Sequence, residues 1–351
     1  MCPRMLSSVT LRHMKTAAGR TLLPMNRHRR VSRLVVLCVV LTACSSNASS
    51  TARPASTPTT SPGLITETTI RANGLTFNAR TAGPADGQLV ILLHGFPQSS
   101  YEWRKQMPVL ARAGYHVVAP DQRGYSPGAR PTTDDQYTMD HMVADTIAIA
   151  DHFHAKTFNL VGHDWGAGVA WATAIAHPDR LRSLTAVSVP HPAAYAKASE
   201  NPNGEQSRKK GYINTFAAPG AAAGLTGEGF FRAAFGVAAT DADIAEYVKV
   251  LGTTDAMNAA LAWYRANDLR TGVGTDAPKV KVPTLFVYGT ADCCLGRDAA
   301  DLTKSYVDAP YNYEVLDGVT HWIPEAADAN LSKLLLAFLH APTKPVGSSK
   351  L

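Results

Sequence analysis

Two aspartates and two histidines that could do chemistry each follow a segment with the pattern of a buried strand. They are His94 in HGFP, Asp164 in GHDWG, Asp292 in GTAD and His321 in GVTHW. The carboxyl ends of parallel strands meet at one edge of a sheet, where reactive groups collect. We therefore expect these four side chains to lie close together. Nucleophile, acid and histidine in this chain order indicate covalent catalysis assisted by an imidazole base.

Asp164 is the predicted nucleophile. In the segment NLVGHDWGAG, residues 159–168, a buried strand runs through a glycine-rich turn into an apolar helix. Such a turn usually presents a serine in the pattern G-x-S-x-G. A serine that attacked a saturated carbon would leave an ether, whereas a carboxylate leaves an ester that water can hydrolyse. Asp164 therefore predicts attack on an sp³ carbon and argues against a serine esterase or lipase; a structural aspartate in a decayed serine hydrolase is the alternative.

His321 and Asp292 are the predicted base and its acid. His321 would take a proton from the water that hydrolyses the Asp164 ester, and Asp292 would orient the imidazole and stabilise the cation that forms. Asp317 is a rival acid, but it lies on the same loop as His321 and better suits a turn before Gly318. The alternatives are a core histidine and a turn aspartate.

Extended and helical segments alternate after residue 63. The extended segments are 64–71, 75–81, 89–93, 116–120, 158–162, 183–189, 284–288 and 312–316, and the helical ones are about 101–112, 139–154, 166–177, 298–308 and 326–340. Several strands are short, continuous apolar runs, as expected for parallel strands covered on both faces. The alternation predicts an α/β protein with a mostly parallel eight-stranded sheet. Asn73-Gly74 predicts a hairpin, so the first two strands are expected to be antiparallel.

The interval 192–278 breaks this alternation. It contains no good strand and much alanine, glycine and helical pattern. We therefore expect a helical cap inserted between the two parts of the core, residues 64–191 and 279–342, and a short tail at 343–351. The 351 residues, 45% of them hydrophobic, are enough for such a core.

The first 44 residues are typical of a bacterial lipoprotein signal peptide. The basic segment 27–33 precedes the apolar run 34–41, which is too short to span a bilayer. This run ends in LTAC, where Cys44 would be lipidated and become the mature N-terminus. Residues 45–63 form a Ser/Thr/Ala/Pro tract that predicts an extended linker. We expect an extracytoplasmic protein, lipid-anchored or secreted; the alternatives are a plain secretory signal and a chance apolar run before a cytoplasmic enzyme, and Met25 is an alternative start.

Charge and cysteine content exclude other classes. Residues 1–43 hold eight basic residues and no acidic one, so removing them changes the net charge from +6 to −2. The body therefore lacks the basic character of a nucleic-acid-binding protein. Outside the targeting segment the cysteines are Cys293 and Cys294. Their spacing predicts neither a disulfide framework nor a metal site and favours a role in packing.

The body of the chain, about residues 70–342, resembles the epoxide hydrolase and haloalkane dehalogenase branch of the α/β-hydrolase superfamily. The similar stretches are HGFPQSSYEWR (94–104), DQRGYSPGARP (121–131), GHDWGAG (162–168), HPDRL (177–181) and GVTHW (318–322). The resemblance implies an α/β-hydrolase core with an inserted cap. It also implies an oxyanion hole made by the backbone N–H groups of Phe96 and Trp165, with a cis bond before Pro97.

Two cap segments resemble those that carry the ring-opening tyrosines of epoxide hydrolases. They are GYINTF, with Tyr212, and AWYRA, with Tyr264. Two phenols on the epoxide oxygen would activate the ring and supply the proton that a departing alkoxide needs; half-buried packing with the hydroxyl in water is the alternative. The resemblance further implies a substrate pocket lined by five residues: His94, Pro97, Phe216, Trp263 and Trp322.

The resemblance therefore implies an epoxide hydrolase, a hydrolase acting on ether bonds, with a small-molecule epoxide and water as substrates and no metal or organic cofactor. A haloalkane or haloacetate dehalogenase with the same nucleophile is one alternative. That family commonly binds halide with an asparagine after His-Gly or a second cap tryptophan, whereas position 96 is Phe and the cap offers only Trp263. A non-catalytic cell-surface binding protein on the same fold is a second alternative. The sequence does not indicate an oligomeric state.

Overall fold

The computed structural model describes residues 63–267 and 277–340. The predicted signal peptide with Cys44, the linker up to residue 62, the cap residues 268–276 and the predicted tail lie outside the described residues. Within the described ranges, no helix is both long and apolar enough to cross a membrane.

An eight-stranded sheet forms the centre of the fold. Its strands are β1 (Thr66–Ala72), β2 (Leu75–Ala82), β3 (Leu89–Leu93), β4 (His116–Pro120), β5 (Phe158–His163), β6 (Leu181–Val187), β7 (Thr284–Gly289) and β8 (Tyr311–Leu316). Their spatial order is β1-β2-β4-β3-β5-β6-β7-β8. Strand β2 is antiparallel to both of its neighbours, and every other neighbouring pair is parallel. The predicted α/β-hydrolase fold with a mostly parallel sheet is confirmed.

The predicted hairpin between β1 and β2 is also confirmed. The two strands pair antiparallel from Thr66 opposite Thr81 to Ala72 opposite Leu75. Asn73 and Gly74 both have left-handed backbone angles, with φ of 48° and 74°. Two consecutive left-handed residues are what a two-residue hairpin turn requires, and asparagine and glycine are the residues that tolerate them best.

Helices cover both faces of the sheet. Helices α1 (Gln106–Arg112) and α12 (Asp328–His340) pack on one face, and α2 (Met139–His152) and α3 (Trp165–Ala176) pack on the other. The sequence of β3, LVILL, is continuously apolar because alternate residues of the strand enter two separate cores, one on each face of the sheet. The sheet is thereby rigid enough to hold side chains at its carboxyl edge.

Within the described residues, six α-helices lie between β6 and β7. They are α4 (Pro192–Ser199), α5 (Glu205–Lys209), α6 (Tyr212–Ala217), α7 (Glu228–Phe235), α8 (Asp241–Leu251) and α9 (Thr254–Ala266). Side-chain caps begin the two longest of them: Thr240 and Asp243 form a capping box on α8, and Thr253 caps α9. The chain then enters β7 and continues through α10 (Arg297–Leu302), β8 and α11 (Ile323–Ala326) to α12.

The cap helices are tied to the core by polar side chains. Arg104 of the core forms an ion pair with Asp243 of α8 at 2.7 Å, and both side chains are largely buried. The indole N–H of Trp263 on α9 donates to the carbonyl of Arg123 at 2.8 Å. These contacts fix the cap helices above the carboxyl edge of the sheet.

Candidate active site

Asp164 lies on a sharp bend between β5 and α3. Its φ of 50° is in the left-handed region, which is costly for a residue with a side chain. The glycines on either side allow the bend: a Cβ on Gly162 would overlap the carbonyl of Gly166, and a Cβ on Gly166 would overlap the carbonyl of Leu93. The bend therefore presents the carboxylate at the edge of the sheet, as the sequence predicts.

His321 lies between two carboxylates. Its Nδ1 is 2.8 Å from Asp292 Oδ2, and its Nε2 is 3.4 Å from Asp164 Oδ2. All three side chains are buried, with 2%, 2% and 8% of the His321, Asp292 and Asp164 residues exposed. The rival Asp317 instead accepts a hydrogen bond from Thr290 on an exposed loop. The structure therefore brings together the three residues predicted to act as nucleophile, base and acid.

The charges of this group stabilise one another. Burial by itself raises the pKa of Asp164, but the hydrogen bond and charge of His321 and the Phe96 N–H hold it below its usual value. Burial likewise lowers the pKa of His321, but the charges of Asp292 and Asp164 raise it well above its usual value. The pKa shifts therefore favour the ionised form of Asp164 and the protonated form of His321.

The backbone N–H of Phe96 donates to Asp164 Oδ1 at 2.9 Å. The preceding Gly95 leaves room for this approach, because a Cβ there would overlap the Asp164 side chain. The bond between Phe96 and Pro97 is cis, as expected. Trp165, the second predicted donor, is the first residue of α3, where backbone N–H groups have no partner within the helix. Its role as a donor to an oxyanion stays a prediction.

The two cap tyrosines lie on the side of Asp164 that faces the cap. The ring of Tyr264 is 5.0 Å from that of Trp165 and 5.4 Å from that of Phe96, and the Tyr212 ring is 6.5 Å from the Tyr264 ring. Burial raises the pKa of both phenols well above the usual value, and the Asp164 charge raises them further. Both are therefore neutral phenols that can donate a proton.

A cavity of about 370 Å³ opens onto Asp164, Trp165 and Tyr212. The rest of its lining is mostly small or apolar and includes Gly168, Ala172 and Ile175 of α3, Val189, Pro190, Pro192, Tyr195 and Leu295. A mostly apolar cavity with a few polar groups is typical of a site for a small organic molecule.

The predicted pocket lining needs correction. None of His94, Pro97, Phe216, Trp263 and Trp322 lines this cavity in the described part of the chain. His94 is a fully buried core histidine whose Nε2 accepts from the Gln122 N–H at 3.0 Å, and burial lowers its pKa to about 4. Its ring packs against Trp263 and supports the chain beneath the nucleophile.

The aromatic residues of that prediction join the cap to the core instead. Trp263 donates to the Arg123 carbonyl, and Trp322 donates to the Ala234 carbonyl at 2.8 Å. The Phe216 ring is 5.1 Å from the Phe96 ring, behind the tyrosines. A tryptophan buried between two units satisfies its N–H with a nearby carbonyl, and this turns the indole away from the cavity.

Glu102 and His163 extend the site inward and were missed by the sequence analysis. Glu102 Oε2 accepts from the Gly95 N–H at 3.1 Å, and Oε1 lies 2.9 Å from His163 Nδ1 at an angle outside good hydrogen-bond geometry. His163 Nε2 lies 2.9 Å from the His321 carbonyl. Burial raises the pKa of Glu102 well above its usual value and lowers that of His163 to about 4. Both shifts favour the uncharged forms of the pair, and the two side chains support the backbone at Gly95 and at His321.

Lys209 was also missed, although it fixes the loop that carries the acid. From the end of α5, its ammonium donates to the carbonyls of Asp292 at 2.6 Å and Leu295 at 2.9 Å. In the same loop Asp292 Oδ1 accepts from the N–H groups of Cys294 at 2.7 Å and Leu295 at 2.9 Å. The cap therefore holds the triad acid in place as well as supplying the tyrosines.

Comparison with known proteins gives consistent matches. A family model described as alpha/beta hydrolase fold matches residues 88–327. Epoxide hydrolase A of Mycobacterium tuberculosis is 32% identical over 320 residues, which cover 79% of this chain and 98% of the relative. Epoxide hydrolase 4 of Mus musculus is 28% identical over 289 residues, covering 78% of this chain and 79% of the relative.

Solved structures agree with these relatives. The crystal structure of epoxide hydrolase A from Mycobacterium thermoresistibile matches with a TM-score of 0.70 at 29% identity, covering 79% of this chain and 99% of that one. Epoxide hydrolase VrEH1 from Vigna radiata matches with a TM-score of 0.68 at 27% identity, covering 78% and 97% of the two chains.

Glu325 is a buried acid that should make the stability of the fold depend on pH. Its Oε1 accepts from Gln98 Nε2 at 2.8 Å and from the Tyr247 hydroxyl, and burial, with the nearby Glu102, raises its pKa from 4.5 to about 7. Between pH 4.5 and 7 the folded protein retains a proton that the unfolded chain has released, so the stability contributed by this group falls as pH rises. At pH 8 the accumulated loss is on the order of 3 kcal/mol.

Glu325→Gln should remove this loss while keeping the accepting oxygen. We expect the urea-unfolding free energy of the variant to match the parent near pH 4.5 and to exceed it by about 2–3 kcal/mol at pH 8. Glu314→Gln, at a partly exposed position on β8, serves as the control and should give a small difference at both pH values. An equal effect of Glu325→Gln at both pH values would contradict the buried protonated carboxyl.

Proposed function

This chain belongs to the α/β-hydrolase fold family, and from that premise we propose that it is an epoxide hydrolase that forms a vicinal diol through a covalent ester on Asp164. The observation that carries the proposal is a carboxylate on a strained bend with an imidazole 3.4 Å away and neutral phenols on the cap side. The names of the relatives, which cover most of this chain, support the same reaction.

In the first step, Asp164 Oδ2 attacks a ring carbon of the epoxide and the carbon–oxygen bond of the ring breaks. The low pKa of Asp164 supports this role, because the group is a carboxylate at neutral pH. Oδ1 is held by the Phe96 N–H, so Oδ2 is the oxygen left to face the cavity. The departing oxygen takes a proton from Tyr212, which lines the cavity with Asp164, or from Tyr264, whose ring lies 5.0 Å from that of Trp165.

The proton for this step has a source within the site. Alkylation converts Asp164 into a neutral ester and thereby removes one of the two negative charges that raise the pKa of His321. The imidazolium then holds its proton less tightly, and that proton can convert the phenolate left on the tyrosine back into a neutral phenol. The charge lost from Asp164 and the proton lost from His321 therefore balance, and His321 becomes the neutral base that the second step needs.

In the second step, His321 removes a proton from a water molecule that attacks the ester carbonyl carbon of Asp164. Negative charge develops on Oδ1, the atom to which the Phe96 N–H already donates. Asp292 stabilises the imidazolium that forms again. Collapse of the intermediate releases the diol, with His321 giving its proton to the leaving oxygen. Asp164 is left as a carboxylic acid, and its proton passes to His321, which restores the carboxylate and the imidazolium.

The alternatives fit the site less well. A dehalogenase needs N–H donors aimed at the halide, but the indole N–H of Trp263 is taken by the Arg123 carbonyl. A binding protein without turnover has no need of a buried imidazolium between two buried carboxylates, since such a group is costly to assemble.

We further propose that the chain is extracytoplasmic and attached to a membrane through lipidated Cys44. The basic segment, short apolar run and LTAC sequence support this proposal, and the tract at 45–63 would serve as the spacer.

His321→Gln should trap the ester. The variant loses the base for ester hydrolysis but keeps the nucleophile and the phenol donors, so ester formation, although slowed, should outlast hydrolysis. On prolonged incubation one equivalent of an aryl epoxide should add its full mass to the peptide that contains Asp164, while steady-state diol formation falls roughly 10³-fold or more. Intact-protein and peptide mass spectrometry measure both. Asp164→Ala in the His321→Gln background is the control and should carry no adduct. Diol formation without any trapped adduct would indicate direct attack by water.

The tyrosines should affect the first step alone. Replacing both with phenylalanine should slow single-turnover ester formation by roughly 10²–10⁴-fold, since general-acid assistance is lost. Hydrolysis of ester already formed should change little. Tyr195→Phe, another buried phenol on the cavity, is the matched control. Equal slowing by Tyr195→Phe would contradict the specific role of Tyr212 and Tyr264.

Cys44→Ala should release the protein from the membrane fraction of the expressing bacterium. The variant lacks the sulfur that would carry the lipid, so it should partition into the aqueous phase of a detergent phase separation. Cys38→Ala is the control and should stay in the detergent phase. Unchanged partitioning of Cys44→Ala would contradict the lipid anchor.

A further inference from the structure

Two adjacent thiols lie directly beside the triad acid. The Sγ atoms of Cys293 and Cys294 are 3.2 Å apart, and both residues are half-buried. Together with an Asp292 oxygen, the two sulfur atoms form a group whose members all lie within 4.8 Å of one another. No step of the proposed reaction uses either thiol.

The Asp292 carboxylate cannot serve as a third ligand without being taken from the triad. Oδ2 is engaged with His321, and Oδ1 accepts from two backbone N–H groups. A tetrahedral zinc site, which needs four ligands, therefore fits poorly. The two sulfur atoms suit a metal or metalloid centre that needs only two protein ligands.

A disulfide fits the pair less well than a chelate. The sulfur–sulfur bond is about 2.0 Å long, so the two atoms would have to approach by more than 1 Å within a strained eight-membered ring. A metal or metalloid atom bonded to both sulfur atoms closes a larger ring, so the two sulfur atoms can remain further apart than in a disulfide.

We propose that Cys293 and Cys294 form a dithiol site that chelates monosubstituted trivalent arsenicals. The two sulfur atoms and the carbon substituent complete the three bonds of the arsenic. With phenylarsine oxide, two S–H bonds and the arsenic–oxygen bond are replaced by two As–S bonds, and the two protons leave with the oxygen as one water molecule. The arsenic stays trivalent, and no oxidant or reductant is involved.

Occupation of this site should impair the triad, a consequence that rests on the proposed function. The Cys294 N–H holds Asp292 Oδ1, while Lys209 and Gln206 of α5 hold the carbonyls of Asp292, Leu295 and Cys294. With both sides of the backbone held, the loop can accept a bulky arsenical only by disturbing the hydrogen bonds to Asp292. Hydrolysis of the ester, which needs Asp292 to orient His321, should slow more than its formation.

The test uses the full chain, reduced and treated with one to two equivalents of phenylarsine oxide in excess 2-mercaptoethanol. Mass spectrometry of the tryptic peptide 282–297, which holds both cysteines and no other, measures the adduct. We expect one phenylarsenic group on this peptide, removed by 2,3-dimercaptopropanol and not by the monothiol. Cys293→Ser and Cys294→Ser should each abolish the retained adduct, with folding checked by circular dichroism.

Epoxide turnover is measured on the same samples, each variant with and without the arsenical. Treatment should lower the turnover rate of the parent at least tenfold and cause the ester to accumulate. Each serine variant should have the same rate with and without the arsenical. Absence of the adduct, or its persistence in either serine variant, would overturn the site. An adduct that leaves turnover unchanged would overturn the inhibition. Because the adduct is detected by mass, a chain without epoxide activity would still decide the binding question.

Discussion

One imidazole held between two buried carboxylates organises this molecule. The three groups come from segments far apart in the chain, after β5, β7 and β8, and only a sheet in which these strands are parallel brings their carboxyl ends together. Burying three ionised groups is costly unless each has a partner and a full set of hydrogen bonds. The amides of Phe96, Cys294 and Leu295 supply those bonds, so the loops around the site are shaped by the need to satisfy the carboxylates.

The cap is part of this arrangement rather than a cover for a finished site. Lys209 ends α5 and holds the carbonyls of Asp292 and Leu295, and Tyr212 begins α6 only three residues later. The acid that orients the base and a phenol proposed as a proton donor are therefore positioned by one short stretch of chain. A shift of this stretch would disturb both steps of the proposed reaction together.

Local pattern was enough to predict the sheet and the close approach of Asp164, Asp292 and His321 from the sequence. The strands are short apolar runs, and the rule that reactive groups collect at the carboxyl edge placed Asp164, Asp292 and His321 together. The pocket lining could not be predicted in this way, because the direction of an indole depends on which carbonyl its N–H finds across the cap. The role of Lys209 could not be predicted for a related reason: the groups that accept its hydrogen bonds are backbone carbonyls, which have no sequence signature. Glu102 could have been suspected as an acid in an otherwise uncharged run between His94 and Trp103.

Two buried acids with raised pKa values, Glu102 and Glu325, help Asp164 to keep its charge. The Asp164 charge raises the pKa of Glu102, and by reciprocity an ionised Glu102 would raise the pKa of Asp164. Glu102 in turn raises the pKa of Glu325. If both glutamates were ionised, the single imidazolium of His321 would face four carboxylates in a region shielded from water. Burial that raises the pKa of Glu102 and Glu325 thus costs the fold some stability as the pH rises and limits the negative charge around the carboxylate on which the proposed chemistry depends.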